Sequence, residues 1–361
     1  MGIEIDLHRL GWQACFAEAF HPHGAAGLVP GRVAEEHRDR YAVVCAAGER
    51  TAEVTGRLRY AAASRLDFPA VGDWVALQEN GDTFAVIHAV LPRRTLLLRK
   101  AAGEVTEAQV VAANLDLLFI VTDVDKDFNP RRLERYLTLA RESGVRPLIV
   151  LNKADLNVRA ADLVREVETV AGGASVLSVS AMDGNGFVEL AAHIGEGTTV
   201  ALIGSSGVGK STIINRLLGE ERLKTSGIRE SDGRGRHTTS WRELLLLPCG
   251  GLVIDTPGMR EVQLWADEES LGASFHDIEE IAAACRFTDC KHQSEPACAV
   301  RRALEDGTLP AERYESYRKL RREIRFLEMR QDVRVRLEEQ ARWKRLQRAG
   351  RENMRRKYGA T

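Results

Sequence analysis

The chain has 361 residues, 44% hydrophobic and 29% charged, with a formal net charge of −1 at pH 7. That length suits two or three domains at roughly 150 residues each. No run reaches the ~18 uninterrupted apolar residues of a spanning helix, and the opening "MGIEIDLHRLGW" has charges where a signal peptide has its apolar core. A cytosolic protein with no membrane partner is expected.

Residues 1–30 read as an N-terminal extension. From residue 31 to 100 the sequence alternates in short stretches, "YAVVCAAG", "RTAEVTGRL", "GDWVALQ" and "TFAVIHAVL", separated by Gly, Asp and Asn turns. About five strands in so short a span predict a small β-barrel, and Trp74 and Phe84, with Arg93 and Arg94 at its end, fit an oligonucleotide-binding (OB) fold. Such aromatics are nevertheless more often core than base-stacking platforms. After residue 101 the rhythm changes to apolar strands alternating with helical segments, "LDLLFIVTDV", "RRLERYLTLARESG", "RPLIVLNKAD", "ASVLSVSA", "TTVALIG" and "GLVIDTPG". That alternation predicts a parallel sheet with covering helices over residues 101–262. Residues 263–361 read as helical, Cys/His-bearing and finally basic: residues 312–361 hold 17 Lys and Arg against 8 Asp and Glu, leaving 34 against 44 elsewhere. A solvated helix is the plainer reading of this tail, although its arginines would suit phosphate forks.

"GSSGVGKS", Gly204 to Ser211, fits G-x-x-x-x-G-K-[ST] between a predicted strand and a predicted helix. Backbone N–H groups of Gly204, Ser205, Ser206, Gly207, Val208 and Gly209, continuing into Thr212, would surround phosphates. Lys210 would reach the β and γ phosphates, and the Ser211 hydroxyl would bind Mg²⁺. "DTPG" ends another strand, where Asp255 would hold Mg²⁺ through water and the Gly258 N–H would meet the γ phosphate. Between them, "GIRESDGRGRHTTSW" has the composition of a switch loop, with Thr239, or else Thr238, supplying a hydroxyl to magnesium. "NKAD" supplies Asn152, Lys153 and Asp155; a carboxylate at Asp155 would accept from guanine N1–H and its amine, which adenine cannot offer. "SVSA" would support the base through Ser180 and the Ala181 backbone. The order of these elements is base reader, base support, phosphate loop, first switch, second switch, a circular permutation of the usual GTPase arrangement. Its mechanical consequence is that the second switch runs through Met259, Arg260 and Glu261 directly into the next domain.

Cys285, Cys290, His292 and Cys298 follow C-x4-C-x-H-x5-C within fourteen residues. Three thiolates and an imidazole would close a tetrahedral structural zinc site, the alternative being reduced cysteines in a helical core.

With "NKAD", "GSSGVGKST", "GRGRHTT", "DTPGMRE" and "CRFTDCKHQSEPACAV" in this order, the chain closely resembles the ribosome small-subunit-dependent GTPase family, RsgA, also called YjeQ. The resemblance runs from about residue 31 to 320. It implies a multi-domain chain: an N-terminal OB barrel, a central permuted α/β P-loop GTPase and a C-terminal α-helical zinc domain. It also implies GTP hydrolysis stimulated by the small ribosomal subunit, release of the factor during late subunit maturation, and binding to rRNA, with other maturation factors as further partners and the protein itself a monomer. Ala297 departs from the pattern, in which Gly is common. Met259 stands where many switch GTPases carry a water-orienting Gln, so His237 in "GRGRHTT" is expected to position the attacking water, beside Lys210 and Thr239 as catalytic groups. An RNA-binding scaffold with vestigial hydrolysis is the alternative. The continuous link from the second switch predicts tighter subunit binding by the GTP form than by the GDP form.

Overall fold

The computed structural model describes residues 5–100, 108–124, 129–157, 160–223, 242–256, 271–272, 274–288 and 290–325. Five strands, β1 (Val29–Glu36), β2 (Tyr41–Cys45), β3 (Gly48–Val54), β4 (Trp74–Asn80) and β5 (Phe84–Val90), pair in the order β1–β2–β3–β5–β4, with α1 (Ala14–Gly24) ahead of them and α2 (Gly56–Ala61) between β3 and β4. β4 then returns to β1, with Val29 opposite Leu77 and Arg32 opposite Trp74, so the barrel closes and leaves no free edge. Alternation places Val33, Val43, Ala52, Val75, Leu77, Ala85 and Ile87 inside, all fully buried. Gly31 permits the tight closure, since a Cβ there would lie 2.4 Å from Leu77 Cδ1 and 2.7 Å from Val43 Cγ1. β6 (Leu96–Lys100) stays outside the barrel and pairs with β7 (Ala108–Ala113) as a separate antiparallel ribbon.

The second sheet has the order β10 (Ser175–Ser178), β9 (Arg146–Asn152), β8 (Leu117–Asp123), β11 (Thr199–Ile203), β13 (Leu252–Asp255) and β12 (Glu243–Leu246). Every pairing is parallel except β12 with β13. Alternate residues of the buried strands serve opposite faces. Leu118, Ile120, Ile149 and Leu151 share one core with Leu133, Tyr136 and Leu137 of α3 (Pro130–Glu142) and Val167 of α4 (Ala160–Val170). Leu117, Phe119, Val121 and Val150 share the other with Leu190 of α5 (Phe187–Ala192) and Ile213 and Ile214 of α6 (Lys210–Leu218). The chain leaves β8 toward β9 and β10, then comes back to β11 on the other side of β8. The crevice beyond the carboxyl ends of β8 and β11 is therefore a topological switch point, where ligands of open α/β sheets bind. One residue pair, Glu35 with Glu243, carries the sheet into the barrel.

The N-terminal extension braces this junction. It contains a 3₁₀ turn, Leu7–Leu10, and the helix Ala14–Gly24, from which Phe16 packs 6.0 Å from the Trp74 ring; Trp12, between the two, comes within 4.6 Å of it. Trp74 is fully buried, so its role is core packing and not base stacking; Phe84 is half-buried. Arg32, equally buried, donates to the carbonyls of Leu10, Gly72 and Asn114, and burial pushes its pKa down to about 10. Arg93 is likewise no open phosphate fork: it meets buried Asp73 through two bonds of 2.8 and 2.7 Å and donates to the Leu66 and Phe68 carbonyls. Arg94 pairs with Asp116 at 2.6 Å.

At the other end, α7 (His276–Ala283), α8 (Ala299–Glu305) and a helix covering residues 311–325 bury Phe275, Ile278, Val300, Tyr314, Tyr317 and Ile324. This unit docks on α3. Arg313 grips Asp277 at 2.6 and 2.7 Å and Glu134 at 2.6 Å, while Arg135 meets Glu323 at 2.6 Å and Arg131 meets Glu315 at 2.9 Å. The first arginine of the basic tail thus belongs to an internal contact; residues 326–361 lie outside the described residues.

Candidate nucleotide and metal sites

The loop from Gly204 to Gly209 joins β11 to α6 as its sequence demands. Gly204, Gly207 and Gly209 all have positive φ, at 146°, 85° and 97°, which an L side chain resists. At Gly204 a Cβ would also lie 2.1 Å from the Val121 carbonyl, and at Gly209 2.2 Å from Asn152 Nδ2. Ser206 and Gly207 are exposed, Ser205, Ser211 and Thr212 half-buried, and Val208 fully buried as the anchor of the loop. Lys210 Nζ donates to the carbonyls of Gly204 at 2.7 Å and Ser205 at 2.5 Å, which puts its charge across the loop mouth. Asp255 ends β13, paired with β11; burial pushes its carboxyl up, against the pull of Lys210. Thr256 Oγ1 donates to Leu202 O at 3.0 Å and ties the start of the next loop to the phosphate-loop strand.

The "NKAD" loop lies alongside. Asp155 is exposed in the turn Ala154–Leu156, free of the core to meet a ligand. Lys153 takes a left-handed φ of 63°, and its Nζ meets Asp123 Oδ2 at 2.9 Å across the ends of β9 and β8. Asn152 is 2% exposed, and its amide makes bonds within the protein. Nδ2 donates to Val208 O at 2.8 Å, and Oδ1 accepts from Ala181 N at 3.0 Å. One side chain therefore joins the "NKAD" loop, the "SVSA" loop and the Gly204–Gly209 loop. Ser180 is buried, its Oγ accepting from Asp183 N at 3.1 Å. Asp123 and Arg216 were missed by motif reading. Arg216, on α6, donates to the carbonyls of Ala181 at 3.0 Å and Met182 at 2.9 Å. His237, Thr238, Thr239, Gly258, Met259, Arg260 and Glu261 lie outside the described residues.

The four residues of the Cys/His motif do converge. One ligand atom from each of Cys285, Cys290, His292 and Cys298 lies within 4.8 Å of the others, a set that could hold a metal ion. Cys285 Sγ is 3.6 Å from His292 Nδ1 and 3.9 Å from Cys298 Sγ, and Cys298 Sγ is 3.4 Å from His292 Nδ1. Glu295 shapes the intervening loop: its carboxylate accepts from the N–H groups of Lys291, Gln293 and Ser294 at 2.8–3.0 Å. Backbone N–H groups, those of Glu295 itself and Gln293 foremost, hold its pKa at about 2. Ala297, in the same loop, has φ 56°, the conformation that favours glycine.

A sequence model of the RsgA GTPase family matches residues 90–265. The chain is 48% identical over 352 residues to the small ribosomal subunit biogenesis GTPase RsgA of Opitutus terrae, a match spanning 95% of this chain and 96% of that protein. Among solved structures it is similar to YjeQ from Thermotoga maritima, with a TM-score of 0.61 and 28% identity over 82% of this chain and 98% of that one. It is similar also to YloQ, described as a circularly permuted GTPase, with a TM-score of 0.59 and 25% identity over 82% and 95% of the two chains. A phosphate loop that follows the "NKAD" loop in the chain yet meets it in space agrees with that description, and relatives matching nearly end to end settle the kinship: the chain belongs to the RsgA GTPase family.

Proposed function

We propose that the chain is a GTP hydrolase that binds the small ribosomal subunit, acts in its late maturation in the cytoplasm, and leaves when hydrolysis is stimulated there. The observation carrying this reading is the convergence of phosphate loop, "NKAD" loop and Asp255 at the carboxyl ends of strands in one parallel sheet, in a chain whose relatives are named small ribosomal subunit biogenesis GTPases. In this reading the Gly204–Thr212 amides hold the phosphates, Lys210 neutralises charge on the β and γ groups, and Asp155 reads the guanine N1–H and amine. Ser211, Thr239 and, through water, Asp255 would hold Mg²⁺, which supplies charge neutralisation at the β and γ oxygens. His237 orients the water that attacks the γ phosphorus; the bond to the β–γ bridging oxygen breaks, GDP leaves with that electron pair, and the water's protons pass to the products. Met259 in the position after Gly258 makes unstimulated turnover slow.

Zinc is the metal that fits the cysteine site. Zn–S of ~2.3 Å and Zn–N of ~2.0–2.1 Å at tetrahedral angles place sulfurs ~3.8 Å apart and sulfur ~3.6 Å from nitrogen, close to the 3.9 Å and the 3.4 and 3.6 Å found here. Thiolate donors disfavour Mg²⁺ or Ca²⁺, and four protein ligands leave no open position, so the role is structural. The barrel and the basic tail serve as two grips on rRNA, and the protein acts as a monomer. Residues 31–100, 101–262 and 263–361 act as barrel, GTPase and zinc units. The link through residues 259–261 makes the GTP form bind the subunit more tightly than the GDP form.

GTP turnover measured alone and with small subunits, large subunits or naked RNA tests the proposal. Stimulation by small subunits alone is expected, and its loss in His237→Ala. Tight subunit binding without stimulated turnover would instead make the chain an RNA-binding scaffold.

A further inference from the structure

The phosphate-loop helix carries a residue outside every recognised motif whose bonds leave its own element. Arg216 stands six residues beyond Lys210, roughly 9 Å along the helix axis, and its side chain crosses to the base-support loop. Its Nη1 donates to Ala181 O at 3.0 Å and Met182 O at 2.9 Å, and the guanidinium carbon lies 5.3 Å from the centre of the Phe187 ring. Gly184 closes over the same group. It has φ 89°, and a Cβ there would lie 2.0 Å from Arg216 Nη2. One nitrogen serves both carbonyls while the guanidinium lies by a ring face, a combination that suits arginine better than lysine.

Ala181 is thereby fixed from both sides. Its carbonyl is held by Arg216 from α6 and its N–H by Asn152 from the end of β9, while the Asn152 amide also binds Val208 O, two residues ahead of α6. The contacts form a closed circuit: α6, Arg216, Ala181, Asn152, Val208 and back to α6. A member of such a circuit sets the distance between base-binding and phosphate-binding loops, and its removal frees the others to shift. Arg216 itself is exposed, so its tie adds little to folding stability; its effect belongs to geometry.

We propose that Arg216 is a positioning residue for guanine-nucleotide binding, fixing the base-support loop Ser178–Met182 against the base-reading and phosphate loops. This rests on the guanine-nucleotide reading of the site. The test uses the full chain with Arg216→Gln, Arg216→Lys and Gly184→Ala, and measures fluorescent GDP and ADP binding, GTP turnover and melting temperature. Arg216→Gln is expected to weaken GDP about tenfold, lower the GDP-over-ADP preference by a similar factor, and raise KM for GTP with less than a twofold fall in kcat. Its melting temperature should stay within about 2 °C of the parent. Arg216→Lys should recover part of the loss, and Gly184→Ala should reproduce it by displacing the guanidinium. GDP affinity within twofold of the parent, or a fall in kcat as large as the rise in KM, overturns the proposal. So does a weakening matched by a large melting shift, which would make the residue merely structural. If the parent protein itself does not prefer GDP to ADP, the guanine reading falls first, and that result is visible before any substitution is made.

Discussion

Asn152→Ala should destabilise the nucleotide-free protein as well as weaken nucleotide binding. The truncation removes the acceptor of Ala181 N–H and the donor to Val208 O, bonds of 3.0 and 2.8 Å, in a place where Asn152 is 2% and Val208 0% exposed. A buried polar group left without a partner costs about 1–3 kcal/mol, and both the Ala181 N–H and the Val208 carbonyl are left so. The sum is about 2–6 kcal/mol, a large share of the roughly 5–15 kcal/mol by which domains are stable. Asn152→Asp is the sharper variant. It keeps an acceptor for Ala181 N–H but turns an oxygen toward Val208 O, so its cost should equal or exceed that of alanine. Urea unfolding of the full chain without nucleotide, followed by circular dichroism, measures the stability change, and a fluorescent GDP titration measures binding, expected to weaken at least tenfold. If Asn152 served only the base, the midpoint would not move while GDP affinity fell. A stability change under about 0.5 kcal/mol in both variants would refute the argument from buried partners.

Asp155→Asn should shift preference from GTP toward xanthosine triphosphate, because the exposed carboxylate is replaced by an amide that can donate to a second carbonyl on the base; nucleotide competition measures it, and unchanged preference for GTP removes Asp155 from the base-reading role. Chelation should melt the unit built on α7, α8 and helix 311–325 and weaken subunit binding, while GDP affinity stays nearly intact; calorimetry with and without chelator reads this, and loss of GDP binding on chelation would contradict a structural metal. Ala297→Gly should stabilise the metal-loaded protein by about 0.5–1 kcal/mol, since φ 56° strains alanine more than the extra chain freedom of glycine costs; an unchanged or lower melting temperature would show that the turn relaxes without it.

What the sequence by itself determined is local. The phosphate loop is legible because its glycines must take positive φ at fixed spacing between a strand and a helix, and Gly204, Gly207 and Gly209 do so. The metal cluster is legible because four ligands within fourteen residues can be brought together by one short loop and the start of one helix. Barrel and parallel sheet follow from the alternation of apolar residues and its change after residue 101. Tertiary structure decided what those residues do for one another. Asn152 binds a carbonyl 56 positions away, and Arg313 a carboxylate 179 positions away. No periodicity records such pairings, because they depend on which strand ends the topology brings to the same crevice. The same holds for Arg93, which reads as an open basic residue and is closed on Asp73, and for the N-terminal extension, whose role shows only where Trp12 and Phe16 meet Trp74. Burial makes a lone polar group costly, so Asn152, Arg313 and Arg93 each hold a partner, and only the folded chain says which.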